Sequence, residues 1–267
     1  MNRSRIDNMI CRREGVFDLD RGKIEEIQLN KLNSLLETEN RRGGFYKNLP
    51  DRLDSLSDLK NLPFTTDEDL ANNPGGLLLV SQSRIQRVLS AATSGTTGKA
   101  KRVFYTPADC EKTVGLFEAG LGELIFPGSV TMVCFPFSGP FGLGDLIAEA
   151  LTNIGAKTIK VGAGRSYREL AEILEREKPD TFVGMPIQLL SMLRFCGKGS
   201  LERALVSGDA CPDSVISACE DILGTKLFPH YGSREMGLGG AICCPAHEGM
   251  HLRENDVIAE IVDDNGN

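Results

Sequence analysis

Ala92-Thr93-Ser94-Gly95-Thr96-Thr97-Gly98-Lys99-Ala100-Lys101 packs four hydroxyl residues, two glycines and two lysines together without one bulky apolar side chain. Glycine lets backbone N–H groups turn toward an anion, hydroxyls donate further hydrogen bonds, and lysine supplies positive charge. The stretch therefore reads as a loop that grips phosphate. Its spacing is not that of the common G-x-x-x-x-G-K-[ST] loop: Gly98 follows Gly95 by three residues, and Lys99 is followed by Ala100. Gly95-Thr96-Thr97-Gly98 alone reads more readily as a surface turn. The full stretch reverses that preference.

Working outward, residues 85–90 read as a strand entering the loop and residues 103–105 as a strand leaving it. Pro107-Ala108-Asp109 opens a helix that reaches residue 124. Strand patterns then recur at 130–135, 157–161, 181–184 and 204–206, with residues 226–228 strand-like. Helical patterns lie between them at 141–153, 167–177 and 187–195, and Val215, Ile216, Cys219, Ile222 and Leu223 mark another after Pro212. This alternation predicts an α/β fold with a mostly parallel sheet flanked by helices, over residues 85–267. Residues 1–84 read as a mainly helical segment packed on that core, with Ile24, Ile27, Leu29, Leu32 and Leu36 at helical spacing. After Pro63, Thr65 with Glu68 forms a capping box for a short helix.

Composition narrows the function. The 267-residue chain is 41% hydrophobic and 25% charged, ordinary for a soluble globular protein. A formal net charge of −7 argues against a nucleic-acid binder, which carries a basic face. A few local lysines and backbone amides still suffice for ATP. No apolar run reaches the length of about 18 residues that reads as a membrane helix, and residues 1–14 hold no hydrophobic secretory core. Eight cysteines are scattered except for Cys243-Cys244, which points to reduced thiols in a cytoplasmic protein.

Ligands of open α/β sheets sit beyond the carboxyl ends of strands. Three loops at such places carry informative residues: the phosphate loop, Ser207-Gly208-Asp209-Ala210-Cys211-Pro212, and His230-Tyr231-Gly232-Ser233-Arg234-Glu235. A carboxylate facing ATP phosphates in a lysine-rich loop needs a metal between them, which makes Glu235 a candidate magnesium ligand. Alone, Tyr-Gly-x-x-Glu is most often a turn into a helix, and the Ser207 segment reads equally as a helix start with Pro212 near the first turn.

The order and separation of the three segments resemble the adenylate-forming superfamily. Residues 93–101 are similar to its Thr-Ser-Gly-Thr-Thr-Gly-x-Pro-Lys signature, with Ala100 where proline is usual. Tyr231-Gly232-Ser233-Arg234-Glu235 resembles its Tyr-Gly-x-Thr-Glu motif, with Arg234 in place of threonine and Ser233 offering a hydroxyl one residue earlier. Ser207-Gly208-Asp209-Ala210 resembles the segment lining its adenine pocket. Leu62-Pro63-Phe64-Thr65-Thr66, Asp69-Leu70, Phe45-Tyr46 and residues 249–261 are similar to its phenylacetate–coenzyme A ligase branch.

The resemblance implies ATP, Mg²⁺ and coenzyme A as ligands and a small carboxylate as substrate, its branch favouring an aromatic one, with homodimers frequent in the family. It assigns Thr93, Ser94, Gly95, Thr96, Thr97, Gly98, Lys99 and Lys101 to the phosphates. Gly208, Asp209, Ala210, Tyr231, Gly232 and Ser233 fall to the nucleotide, and Thr96, Lys101 and Glu235 to catalysis. Phe137, Phe141 and Gly142 line the acyl pocket or are simply core.

Cys243, Cys244, His247 and His251 put thiolates and imidazoles close in sequence, which fits either zinc or a reduced cysteine pair beside a polar hairpin. Some family members bind structural zinc through a Cys-x-Cys pair further along, and this sequence contains no such pair. It likewise reaches Asn267 before the family's ribose-binding aspartate, hinge and C-terminal lysine domain. The expectation is an N-terminal portion, inactive or impaired on its own, of a ligase that forms an acyl-adenylate and then a thioester. Transfer to a carrier protein or amine, or a non-catalytic nucleotide- or acyl-binding module, are the alternatives.

Overall fold

The computed structural model describes residues 3–91, 101–139 and 141–263. The chain forms two compact units. One takes in Ile10–Ala108 with the chain from Glu254 onward, and the other takes in Asp109–Arg253 with the chain's start through Met9.

The unit built on Ile10–Ala108 is mainly helical. It receives the end of α1 (Arg5–Glu14) and contains α2 (Arg21–Arg42). The Asp20 carboxylate caps α2 by accepting the Lys23 N–H at 2.7 Å, and Gly43 closes it. Ile24, Ile27 and Leu36 are buried as their spacing predicts, whereas Leu29 and Leu32 are half-buried. Two buried amides on the same helix fasten distant backbone. Asn33 exchanges hydrogen bonds of 3.0 and 2.8 Å with Leu53, and Gln28 donates to the Glu254 carbonyl at 2.8 Å.

The short α3 (Asp67–Asn72) starts one residue later than the capping pattern predicts. Thr66 is its N-cap and accepts the Asp69 N–H, while the Asp69 carboxylate accepts the Thr66 N–H at 2.8 Å. The Thr65 hydroxyl is taken by Tyr46 instead. β1 (Arg87–Ala91) and β2 (Lys101–Tyr105) pair antiparallel as a sheet of their own, with Arg87 opposite Tyr105 and Ala91 opposite Lys101.

The other unit holds the main sheet. Its elements run α4 (Pro107–Leu121, from Asp109 on), β3 (Val130–Val133), α5 (Leu143–Ile154), β4 (Lys157–Lys160), α6 (Tyr167–Glu177) and β5 (Thr181–Gly184). They continue with α7 (Pro186–Cys196), β6 (Arg203–Val206), α8 (Asp213–Leu223), β7 (Phe228–Tyr231), β8 (Ala241–Cys243) and β9 (Met250–Leu252). The seven strands lie in the order β4-β3-β5-β6-β7-β8-β9. Pairings from β4 through β7 are parallel, and those of β8 with β7 and β9 are antiparallel. This is the α/β fold with a mostly parallel sheet that the alternation predicts.

Both faces of the central strands are covered, which is why they read as short apolar runs rather than as alternations. Met132, Cys134, Phe182, Ala204 and Val206 point to one face and pack with Leu170, Leu189, Met192, Leu193 and Cys219 of α6, α7 and α8. The intervening Val133, Val183 and Leu205, fully buried, point to the other face. On that side the Phe117 ring of α4 lies 5.0 Å from the His230 ring of β7.

At the amino ends of the strands, Asp180 works as a staple. Its carboxylate accepts the Val130 N–H at 2.8 Å and the Thr181 hydroxyl at 2.6 Å, and its carbonyl accepts the Glu202 N–H at 2.8 Å. Three parallel strands are thereby held in register at the end opposite the candidate site.

Candidate functional site

Three connections meet at the carboxyl ends of β3, β6 and β7, all within the sheet unit. The first, after β3, carries Phe135 through Gly142. Phe135 is buried, while Phe137 is half-buried with the Lys160 ammonium 5.3 Å from its ring centre. Phe141 is half-buried and sits at φ 75°, a left-handed conformation that a phenylalanine adopts only under constraint. Gly142 is the N-cap residue of α5. Phe137 and Phe141 are thus neither core residues nor fully open to solvent.

The second connection is the chain after β6. Ser207 is buried, and Gly208, Asp209 and Ala210 are exposed. Gly208 takes φ 84°, and a Cβ there would sit 3.0 Å from Cε1 of Phe135. The positive φ favours glycine, and a Cβ would press on the Phe135 ring, which seats this loop close to the end of β3.

The third connection follows β7 and is shifted from the sequence expectation. The strand is Phe228–Tyr231, so His230 and Tyr231 are strand residues rather than loop residues. Pairing explains the shift: Leu205 and Val206 lie beside Phe228 and Pro229, while His230 and Tyr231 pair antiparallel with Ile242 and Ala241. Tyr231 ends the strand 57% exposed. Gly232 follows where a Cβ would lie 2.7 Å from the Leu238 carbonyl oxygen, so the turn closes tightly on it. The Ser233 hydroxyl accepts the Met236 N–H at 3.2 Å, and the Ser233 carbonyl accepts the Leu238 N–H at 2.9 Å. Arg234 and Glu235 stand exposed on this fixed turn.

One hydrogen bond joins the second and third connections. Ser207 Oγ and His230 Nδ1 are 2.6 Å apart, and both residues are buried. Burial pushes the His230 pKa down from its ordinary 6.5 to about 4, so the ring is neutral at pH 7. Between pH 6.5 and 4 the unfolded chain binds the proton that folded His230 refuses. Stability therefore rises with pH across that window and is lost as pH falls through it. At pH 4.5 the loss from this one group is expected to be on the order of 2 kcal/mol. Urea unfolding at pH 4.5 and 7.5 checks it: His230→Asn should show a smaller pH dependence than the unsubstituted chain, and equal dependence would contradict the assignment.

In the helical unit, Lys101 opens β2 with its ammonium 2.8 Å from the Asp67 carboxylate. Thr93, Ser94, Gly95, Thr96, Thr97, Gly98 and Lys99 lie outside the described residues.

The four zinc candidates do not converge. In the β8–β9 register Cys243 faces Met250, and His251 faces Ile242, so the Cys243 and His251 side chains leave opposite faces of the hairpin. Cys243 Sγ comes to 3.5 Å from His247 Nδ1, but the His247 ring stacks edge-on to Phe228, and His251 lies 3.9 Å from Asp7. Among the described residues no three His, Cys, Asp or Glu side chains are grouped to hold a metal ion. Cys243 and Cys244 are free thiols, and burial raises the pKa of Cys243.

Comparison with known proteins identifies the neighbourhood of this arrangement. Residues 89–266 match the family described as AMP-binding enzyme. The phenylacetate-coenzyme A ligase of Aromatoleum evansii is 27% identical, over 80% of this chain and 50% of that protein. The phenylacetate-coenzyme A ligase of Escherichia coli (strain K12) is 28% identical, over 80% of this chain and 51% of that protein. The chain thus spans about half the length of the curated relatives it matches. In fold it is similar to a 2-hydroxyisobutyryl-CoA ligase crystallised with 2-HIB-AMP and CoA, at a TM-score of 0.75 and 22% identity, covering 88% of this chain and 55% of that one. Among the described residues no helix is long and apolar enough to cross a membrane.

Proposed function

Because the chain belongs to the AMP-binding enzyme family, we propose that it binds ATP and a carboxylic acid and serves AMP-forming activation of that acid, with coenzyme A as acceptor. The observation that carries this reading is the pairing of two exposed segments, Gly208 to Ala210 and Tyr231 to Glu235, at adjacent strand ends through Ser207 and His230. The carboxyl ends of parallel strands are where α/β sheets take nucleotides.

In this reading backbone groups of Gly208, Asp209 and Ala210 and the Tyr231 ring hold the adenine. The hydroxyls and lysines of residues 93–101 hold the phosphates, with Thr96 and Lys101 offsetting charge that grows on the departing pyrophosphate. A carboxylate oxygen of the substrate attacks the α-phosphorus, the acyl–phosphate bond forms, and the bond to pyrophosphate breaks. The thiol sulfur of coenzyme A then attacks the acyl carbon and AMP leaves. The exposed Glu235 carboxylate, a hard oxygen donor, fits Mg²⁺, which when bound neutralises phosphate charge. Phe137, Phe141 and Gly142 line the acyl site, and the two phenylalanines favour an aromatic acid. The two phenylacetate-coenzyme A ligases matched above support that preference and the choice of coenzyme A.

A non-hydrolysable phenylacetyl-adenylate mimic, with a sulfamate in place of the phosphate, tests this without turnover. Calorimetry is expected to find it bound at least about tenfold more tightly than AMP, because acyl and adenine sites are occupied together. Affinity no greater than that of AMP would remove the acyl site from the proposal. With ATP, Mg²⁺ and phenylacetate, AMP release that rises with coenzyme A would favour that acceptor over a carrier protein or amine.

A further inference from the structure

Ser207 and His230 are the point at which the two adenine-side segments are fastened. Each lies two residues beyond a registered pair, Leu205 beside Phe228, which puts both side chains on the same face of the sheet. Their hydrogen bond of 2.6 Å is the one polar contact that the His230 ring makes among the described residues: Nε2 is buried without a partner, against Phe117. An orphaned ring nitrogen in a buried slot costs free energy that an apolar side chain there would not. Stability alone therefore disfavours histidine at this position. What histidine supplies, and an apolar residue cannot, is a directional tie from β7 to the first residue after β6.

We propose that Ser207 and His230 are a positioning pair that fixes Gly208 to Ala210 against Tyr231 to Ser233, so that the adenine pocket is assembled as one body before nucleotide arrives. The inference rests on reading those two segments as the nucleotide site. Neither side chain needs to touch the nucleotide. Ser207 leads directly into Gly208, and His230 directly precedes Tyr231, so a shift of either one re-aims the ligand-facing backbone.

The test uses the full chain with Ser207→Ala and His230→Leu as disrupting variants, their double variant, and Ser207→Thr and His230→Asn as variants that keep a polar atom in place. Two readouts are taken: hydrogen exchange of residues 208–211 and 231–235 without ligand, and AMP affinity by calorimetry. Either disrupting variant should speed exchange in both segments together and weaken AMP about tenfold, with the double variant no weaker than the singles. The two conservative variants should stay within about twofold of the starting chain. Unchanged exchange, exchange that rises in one segment only, or losses that multiply in the double variant would overturn the pair. Should the unsubstituted chain bind no AMP, the nucleotide reading itself fails, while the ligand-free exchange readout still decides whether the two segments are coupled.

Discussion

The Phe182→Ala variant is expected to lose about 3–5 kcal/mol of stability, the usual cost of deleting a fully buried aromatic ring. Phe182 is 0% exposed on β5, which pairs on one side with β3 and on the other with β6. It belongs to the cluster that joins Met132, Leu189, Met192 and Val206. Its ring tip lies over Gly184, where a Cβ would come within 2.7 Å of Cζ, so the ring occupies the space that a larger residue at Gly184 would claim. Domains are stable by only about 5–15 kcal/mol, so this one change is expected to bring the sheet close to unfolding. Urea denaturation followed by circular dichroism measures it. A loss below about 1 kcal/mol would mean that the centre of the sheet is packed differently.

The second large effect is on binding. Lys101→Ala is expected to weaken ATP binding by about ten- to a hundredfold, since a charge-assisted hydrogen bond to phosphate contributes about 1.5–3 kcal/mol. The fold should tolerate the change. Its ion partner Asp67 has a side chain 78% exposed and remains hydrated when the lysine is gone, and such pairs contribute at most about 1 kcal/mol. Asp67→Asn is the control: it removes the ion pair, keeps the lysine, and should leave ATP affinity equal or higher. Calorimetric titration of both variants separates the cases. Undiminished affinity in Lys101→Ala would take this lysine out of the phosphate site.

How much of this was legible in the sequence depends on whether the cause was local. The helix over 167–177 is found at its own bounds because Ser166 and Glu169 form a capping box and Leu170 and Leu174 face the core. The strand at 181–184 is equally legible, as an apolar run covered on both faces. The capping pattern at Thr65 places the start of α3 one residue early. Both Thr65 with Glu68 and Thr66 with Asp69 satisfy the capping pattern, and Tyr46, distant in sequence, takes the Thr65 hydroxyl.

Pairing partners were less accessible still. No local pattern reports that β1 pairs with β2, or that β8 draws His230 and Tyr231 into a strand. The site shows the same division. Tyr231, Glu235 and Gly208 were marked by short motifs. The hydrogen bond between Ser207 and His230 spans 23 residues and emerges only from the register of β6 and β7. The zinc candidates divide in the same way: nearness in sequence puts four donors together, and the two-residue period of the β8–β9 hairpin sends Cys243 and His251 to opposite faces.

In the proposed reading, adenine nucleotide sits at the carboxyl ends of β6 and β7. Amide chemical-shift mapping of the ¹⁵N-labelled chain during titration with ATP and Mg²⁺ tests it most directly. Saturable shifts concentrated at residues 93–101, 207–211 and 231–235 are expected. Shifts confined to the opposite end of the sheet, around Asp180 and Glu202, or none at millimolar ATP, would contradict it.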